Sequence, residues 1–263
     1  MGIKNQKIPK IIHYCWLSAD PFPQNVEKCL ASWQQHLPDY ELMLWDVNRF
    51  PLEKNIWVKQ AFESKKYAFA ADYIRLYAIY HYGGIYFDTD VEAIKNFDDL
   101  LHLPYFIGTE GYEMLEAGVF GAEKGMNWVK DCLDYYDNKN FINQDGSYNT
   151  QTLPSIMGKQ ISKNRKLIIF TKEQWNNLDF NNQEILYVFP RDFFSAKEMG
   201  TGKLLVTENT YSIHHFAMSW IPKKDRFLSD FKRKLMQIVG YDTVDYLINV
   251  LQLKEIKKRL FKK

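Results

Sequence analysis

Apolar and polar residues change rhythm several times along the chain. The run "KIIHYCW" (Lys10 to Trp16) is followed by the turn-rich "LSADPFPQN" and then by apolar residues at helical spacing through Trp33. That succession predicts strand, loop and helix. "YELMLWD" (Tyr40 to Asp46) alternates as a second strand, and one helical pattern is expected from roughly Val58 to His81, stopped by Gly83 and Gly84. "IYFDTDV" (Ile85 to Val91) reads as a third strand, with further strands at "PYFIGTE", "AGVFGAE", "KLIIFT", "EILYVFP" and "YSIHHFA". Strands alternating with helices predict an α/β domain with a mainly parallel sheet, and such sheets bind ligands at the carboxyl ends of their strands. The Asn-rich stretch Asp134 to Gln151 is expected to form a loop or lid beside that edge.

From Pro222 onward the pattern becomes two helical stretches. In the second, Val244, Leu247, Ile248, Leu251 and Leu260 can share a face while Lys254, Lys257, Lys258 and Arg259 crowd the end. The predicted organisation is a domain over 1–222 and a basic amphipathic helical extension over 223–263.

Charge sharpens that division. The formal net charge is only +2, yet Lys223 to Lys263 holds 12 basic and 5 acidic residues, which leaves the body before it acidic. An acidic body with a basic tail argues against a general nucleic-acid binder and for local attachment, with an anionic membrane surface as one candidate. The aromatic share of 16% suits either a large core or a concave site that holds rings. Cys15, Cys29 and Cys132 show no CxxC spacing, so neither a disulfide framework nor a zinc cluster is suggested. The opening residues lack the apolar run of a leader, and no stretch of about 18 apolar residues offers a membrane span. The expected location is therefore the cytoplasm, possible attachment to the inner face of the membrane included.

The candidate chemistry sits after the paired glycine, in "HYGGIYFDTDVEAI". On a continuous strand Tyr86, Asp88, Asp90 and Glu92 would project to one face, with neighbours on that face about 7 Å apart. Two carboxylates at that separation cannot chelate one ion symmetrically unless the chain bends. One could ligate a metal while the other reaches a bound water or a sugar hydroxyl, and hard oxygen ligands of this kind suit Mg²⁺ or Mn²⁺ carried in with a phosphate substrate. A bare DxD triplet is a weak signal. The preceding helix strengthens it, because Asp72 and Arg75 stand three apart on one side of it.

"FAADYIRLYAIYHYGGIYFDTDV" closely resembles the DxD sugar-transferase region of glycosyltransferase family 32, whose members include bacterial capsule and lipooligosaccharide enzymes and yeast outer-chain mannosyltransferases; the glucosylating clostridial toxins share a related core. The resemblance extends to "IPKIIHYCWLS", "PDYELMLWD" and "YSIHHFAMSW", four motifs in order over most of residues 8 to 221. It implies a GT-A, Rossmann-like fold and a retaining, metal-dependent transfer of a hexose from a nucleotide-diphosphate sugar to a glycan acceptor. Bacterial surface polysaccharide synthesis is the expected setting and a lipid-linked oligosaccharide the expected acceptor.

By motif, Trp16 is similar to the residue stacking on the nucleobase, Asp88 to the one binding ribose and donor, and Asp90 to the direct metal ligand. Asp72 and Arg75 match the pair that holds the donor sugar and the transferred group, and Tyr86 the wall of the phosphate pocket. Ser219 and Trp220 would donate to the diphosphate. Only one of His214 and His215 can face the site on a strand, and similarity to enzymes with a His-aromatic pair favours His215 as the second metal ligand. The middle motif "LEAGVFGAEKGMNW" departs from relatives that carry an amide near Glu116, and Met218 replaces a glycine. A UDP-hexose is the expected donor and GDP-mannose its competitor, with Mn²⁺ or Mg²⁺ as cofactor. A metal-dependent phosphohydrolase using Asp88 and Asp90, or a non-catalytic glycan- or nucleotide-binding module, are the rival readings.

Overall fold

A computed structural model describes residues 5–111, 114–199 and 201–217, together with 234, 236, 238–240 and 243. The expected Ser219, Trp220 and helical extension over 223–263 lie outside these, apart from the few positions named.

The central sheet forms from β1 (Ile11–Cys15), β2 (Glu41–Trp45), β3 (Gly84–Phe87), β5 (Tyr105–Gly111) and β6 (Met114–Ala122), in the order β2-β1-β3-β6-β5. β2, β1 and β3 run parallel, whereas β6 is antiparallel to β3 and β5 to β6. The sheet is thus mixed, and the expectation of a mainly parallel one holds only for its first half. For β5 and β6 the cause is visible in the chain: only two residues separate them, far fewer than the crossover a parallel pair needs. Two small sheets flank it, β4 (Val91–Ala93) with β9 (Ser212–His214), and β7 (Lys166–Ile169) with β8 (Ile185–Val188). The α/β architecture and the strand–helix–strand opening expected from the apolar pattern are the ones observed.

Helix α1 (Gln24–His36) covers one face of the sheet. Its Trp33 ring packs edge-on against Tyr14 of β1 and Phe87 of β3, and its indole N–H donates to the Val91 carbonyl at 2.8 Å. The region expected as one helix from Val58 to His81 is two, α2 (Ile56–Glu63) and α3 (Tyr67–Tyr82). Lys65 adopts φ 56°, the Lys65 N–H reaches the Phe62 carbonyl and the Lys66 N–H the Ala61 carbonyl. This is a left-handed helix ending of the kind usually built with glycine; a lysine there left no mark in the apolar pattern.

Helix α3 ends at Gly83, φ 69°, and β3 begins at Gly84, φ 105°. A Cβ on Gly84 would lie 2.7 Å from the Ile11 carbonyl oxygen, and one on Gly83 would lie 2.8 Å from the Lys124 nitrogen. Helix and strand therefore connect only through residues without side chains. The aromatic share is largely core: Trp33, Trp45, Trp57 and Trp128 are fully buried, whereas Trp16 keeps part of its surface. The Asn-rich segment is a loop, as expected, after α4 (Asn127–Asp134), and it is pinned down by Phe141, which is buried, and by the Phe141 and Ile142 N–H groups, both of which donate to the Gln60 side-chain oxygen.

Candidate metal and sugar-nucleotide site

Asp88 and Asp90 do not share a strand. β3 stops at Phe87, the chain turns with the Val91 N–H on the Asp88 carbonyl at 3.0 Å, and β4 leaves to pair with β9 in another sheet. The expected single strand over Ile85 to Val91 is thereby corrected. The turn has a chemical result: ligand atoms of Asp88, Asp90 and His214 all lie within 4.8 Å of one another. The bend that one ion would require is built into the backbone.

Behind the turn, Tyr86 and Arg75 fix Asp88. The Arg75 guanidinium lies 4.6 Å over the Tyr86 ring, donates from Nη1 to Asp88 Oδ2 at 3.1 Å and to the Ala117 carbonyl at 2.8 Å, and pairs from Nη2 with Asp72 Oδ1 at 3.1 Å. The Tyr86 hydroxyl donates to Asp88 Oδ1 at 3.0 Å. Burial pushes the Asp72 carboxyl up to about 7, against the pull of Arg75. Burial opposes the Arg75 charge too, but Asp88, Tyr86 and Asp72 outweigh it and hold the guanidinium firmly protonated. Asp72 and Arg75 are a bridge from α3 to the acidic turn, which is more than the pair along one helix that their spacing alone describes.

Of the adjacent histidines, His214 faces the carboxylates and His215 turns away, the reverse of the expectation. His214 Nε2 stands 3.4 Å from Asp90 Oδ1. The His215 ring instead meets Glu92 at 2.8 Å, while its backbone N–H donates to the Asp90 carbonyl at 3.0 Å. The register of β4 against β9, Val91 opposite His214, decides this. Burial would push the Asp90 carboxyl up, but the His214 imidazolium and a hydrogen bond from the Ala217 N–H bring it down to about 2. Burial likewise disfavours the charged His214 ring, which Glu116 and Asp90 nevertheless hold protonated well above the usual range.

Two carboxylates and an imidazole nitrogen at this separation are a donor set that fits a divalent ion of the first transition row or Mg²⁺. Trp16 follows the end of β1, at the same carboxyl edge as the β3 terminus, with its indole N–H on the Asp20 carbonyl at 2.8 Å and its ring 5.0 Å from Phe22. Three contributors were not identifiable from the sequence. Glu116, in doubt there, is fully buried behind His214; Ser195 hydrogen-bonds to it; and Glu110, half-buried on β5, has its carboxyl pushed up to about 8 by burial and by Glu116. Their separation in sequence from the DxD turn hid them, and only the pairing of β5, β6 and β9 around it joins them.

Residues 23–107, which include α3, β3 and the acidic turn, match the glycosyltransferase sugar-binding region containing the DXD motif. That stretch is similar to the sugar-binding region of DXD glycosyltransferases. Inositol phosphoceramide mannosyltransferase 3 of Schizosaccharomyces pombe is 33% identical over 45% of this chain and 34% of its own. The uncharacterized glycosyltransferase L373 of Acanthamoeba polyphaga mimivirus is 23% identical over 82% of this chain and 84% of its own. Among solved structures, the PaToxG glycosyltransferase superposes with a TM-score of 0.48 at 20% identity, covering 60% of this chain and 69% of that one. The chain spans about a third of the length of the fungal relatives it matches.

Proposed function

We propose that this protein is a metal-dependent glycosyltransferase that moves a hexose from a nucleotide-diphosphate sugar to a lipid-borne acceptor. The observation that carries the reading is the meeting of Asp88, Asp90 and His214 ligand atoms within 4.8 Å at the end of β3, beside the Asp72–Arg75 bridge. In this reading Asp90 and His214 hold the ion with Asp88, and a bound divalent cation would neutralise charge on the diphosphate leaving group. Asp88 also meets ribose and donor. Arg75 offers positive charge where the leaving phosphate gathers negative charge, and Asp72 holds sugar hydroxyls. Trp16 stacks on the base, with Ser219 and Trp220 as diphosphate donors. With no carboxylate among the described residues assigned as a covalent nucleophile, the acceptor hydroxyl would attack on the face the phosphate leaves, with retention.

The sugar we propose is mannose, most simply carried on GDP, because several relatives bear mannosyl-transferring names. UDP-hexoses, the expectation from the sequence, become the second donors to test. The same names support an inositol phosphoceramide-like lipid as acceptor more than bacterial surface polysaccharide. A lipid acceptor and the basic 223–263 segment support a reading of attachment at a membrane surface, which we take as the cytoplasmic face, since each basic residue near anionic lipid contributes about 1 kcal/mol. Equal liposome flotation by the full chain and a chain ending at Pro222 would remove the tail from the reading.

The deciding test is release of free nucleotide from GDP-mannose and a panel of UDP-sugars, with Mn²⁺, Mg²⁺ or chelator, for the native protein and Asp90→Asn. Metal-dependent release from one donor, lost in Asp90→Asn, is the expected result. Phosphate release from simple esters without any sugar nucleotide would favour a phosphohydrolase; nucleotide binding indifferent to metal, without turnover, would favour a binding module.

A further inference from the structure

Glu116 carries a carboxylate with no exposed surface, immediately behind His214. Isolated burial of such a charge is costly, so its partners matter. Three donors converge on it: the Gly118 N–H at 2.6 Å, the hydroxyl of buried Ser195, and the His214 ring at Nδ1, 3.0 Å from Oε1 and 3.2 Å from Oε2. Room for the imidazole comes from Gly118, where a Cβ would stand 2.7 Å from His214 Cε1 and 2.9 Å from Nδ1. The opposite ring nitrogen, Nε2, is the one beside Asp90.

We propose that Glu116 and Ser195 are positioning residues: they hold the His214 ring with a proton on Nδ1, so that Nε2 is aimed at Asp88 and Asp90 before any ion or donor arrives. A carboxylate facing Nδ1 can receive only an N–H from it, so the proton an arriving cation displaces is the one on Nε2, whose lone pair then becomes the donor. With the Gly118 and Ser195 donors also engaged, the Glu116 oxygens hold the ring and do not join the ligand set. A partner of this kind also raises the basicity of a ligating imidazole. An imidazole set in place beforehand adds a nitrogen donor that Mn²⁺ uses better than Mg²⁺ does. The inference rests on the proposal that Asp88, Asp90 and His214 form an ion site.

The test measures ion binding by the full chain without nucleotide, Mn²⁺ by electron paramagnetic resonance and Mg²⁺ by competition, for the native protein, Glu116→Gln, Ser195→Ala and Glu92→Gln. Nitrogen-15 spectra of the imidazoles in the Mg²⁺-loaded protein report which His214 nitrogen is protonated. Expected are a loss of Mn²⁺ affinity of roughly 10- to 100-fold in Glu116→Gln, a smaller loss in Ser195→Ala, a weaker effect on Mg²⁺, no change in Glu92→Gln, and an Nδ1-protonated ring in the native protein. A Glu116→Gln protein that melts as the native one does and binds Mn²⁺ equally well would overturn the proposal, as would a native Mg²⁺-loaded ring protonated on Nε2 and not on Nδ1. Should Glu116→Gln not fold, Ser195→Ala and the native ring spectrum decide. No ion binding by the native chain would instead sink the ion site itself, whereas the expected binding pattern without turnover of any sugar nucleotide would sink the transferase reading and leave this one standing.

Discussion

Arg75 holds Asp88 and Asp72 at the same distance, 3.1 Å, from two different guanidinium nitrogens. One cation of α3 therefore sets the position of a carboxylate on the helix and of another on the turn after β3. Lysine cannot reproduce this fork, because its single ammonium makes no planar pair of contacts. Arg75→Lys is expected to lower metal-dependent nucleotide release by about 100-fold, the scale of losing one preorganised donor. Arg75→Met, which strands buried Asp72 and removes the partner of half-buried Asp88, should also destabilise the fold by on the order of 3 kcal/mol. Denaturant unfolding beside the release assay separates the two: a lysine variant with native turnover would show that the fork does no catalytic service.

The two histidines should part company on substitution. His214→Ala removes a nitrogen 3.4 Å from Asp90, and metal-dependent turnover is expected to fall by about 100-fold or more, taking the effect of losing a supporting partner as a lower bound. His215→Ala removes an exposed contact to Glu92, worth no more than about 1 kcal/mol of stability, and metal dependence should persist. Metal titrations of activity for both variants check this, and equal losses would mean that β9 sits differently against β4 than the register places it.

Much of the architecture was legible because it rests on local rules. The apolar runs at Lys10 to Trp16 and Tyr40 to Asp46 became β1 and β2, and Gly83 and Gly84 mark a helix end that no side chain could occupy. What escaped depends on contacts distant in sequence. Lys65 closes a helix with a backbone conformation that its residue type does not announce. The Asp88 to Val91 turn looks like continued strand until β4 is seen to leave for β9. The same pairing chose His214 over His215, and the ring it placed meets Glu116 of β6, which Ser195, 79 positions further on, hydrogen-bonds in turn. The acids could be named from their spacing; the tertiary partner of each could not.

Gly118 lies where three parts of the site meet. Its N–H donates to Glu116, its carbonyl accepts the Asp88 N–H at 2.8 Å, and its bare Cα faces the His214 ring. The added methyl of Gly118→Ala has to displace the ring or the strand, at a cost of about 1–3 kcal/mol. The expected outcome is a lower melting temperature together with weakened metal binding. Gly125→Ala is a useful contrast: no atom stands within 4 Å of its Cβ position, so any cost there comes from its φ of 79° and leaves metal affinity unchanged. Calorimetric titration with Mn²⁺ on both variants gives the answer, and native affinity in Gly118→Ala would mean that the ring tolerates displacement.

His13 should make the fold sensitive to mild acid. The side chain is fully buried in β1, accepts the Trp45 indole N–H on Nδ1 at 3.0 Å and donates from Nε2 to the Gly83 carbonyl at 2.8 Å, so both nitrogens are used by the neutral ring. Burial lowers its pKa to about 4, against 6.5 for the ordinary side chain. The unfolded chain therefore takes up a proton first as pH falls, and the contribution of His13 to stability is complete above about pH 6.5 and lost on the way down to about pH 4. With 1.36 kcal/mol per pKa unit, the loss across that window is about 3 kcal/mol. His13→Gln keeps a donor for Gly83 but cannot titrate: it should be less stable than the native protein at pH 7, and its stability should change by about 2 kcal/mol less between pH 7 and pH 4.5. Urea unfolding at the two values measures both quantities, and parallel pH profiles for the two proteins would mean that His13 does not carry the acid response.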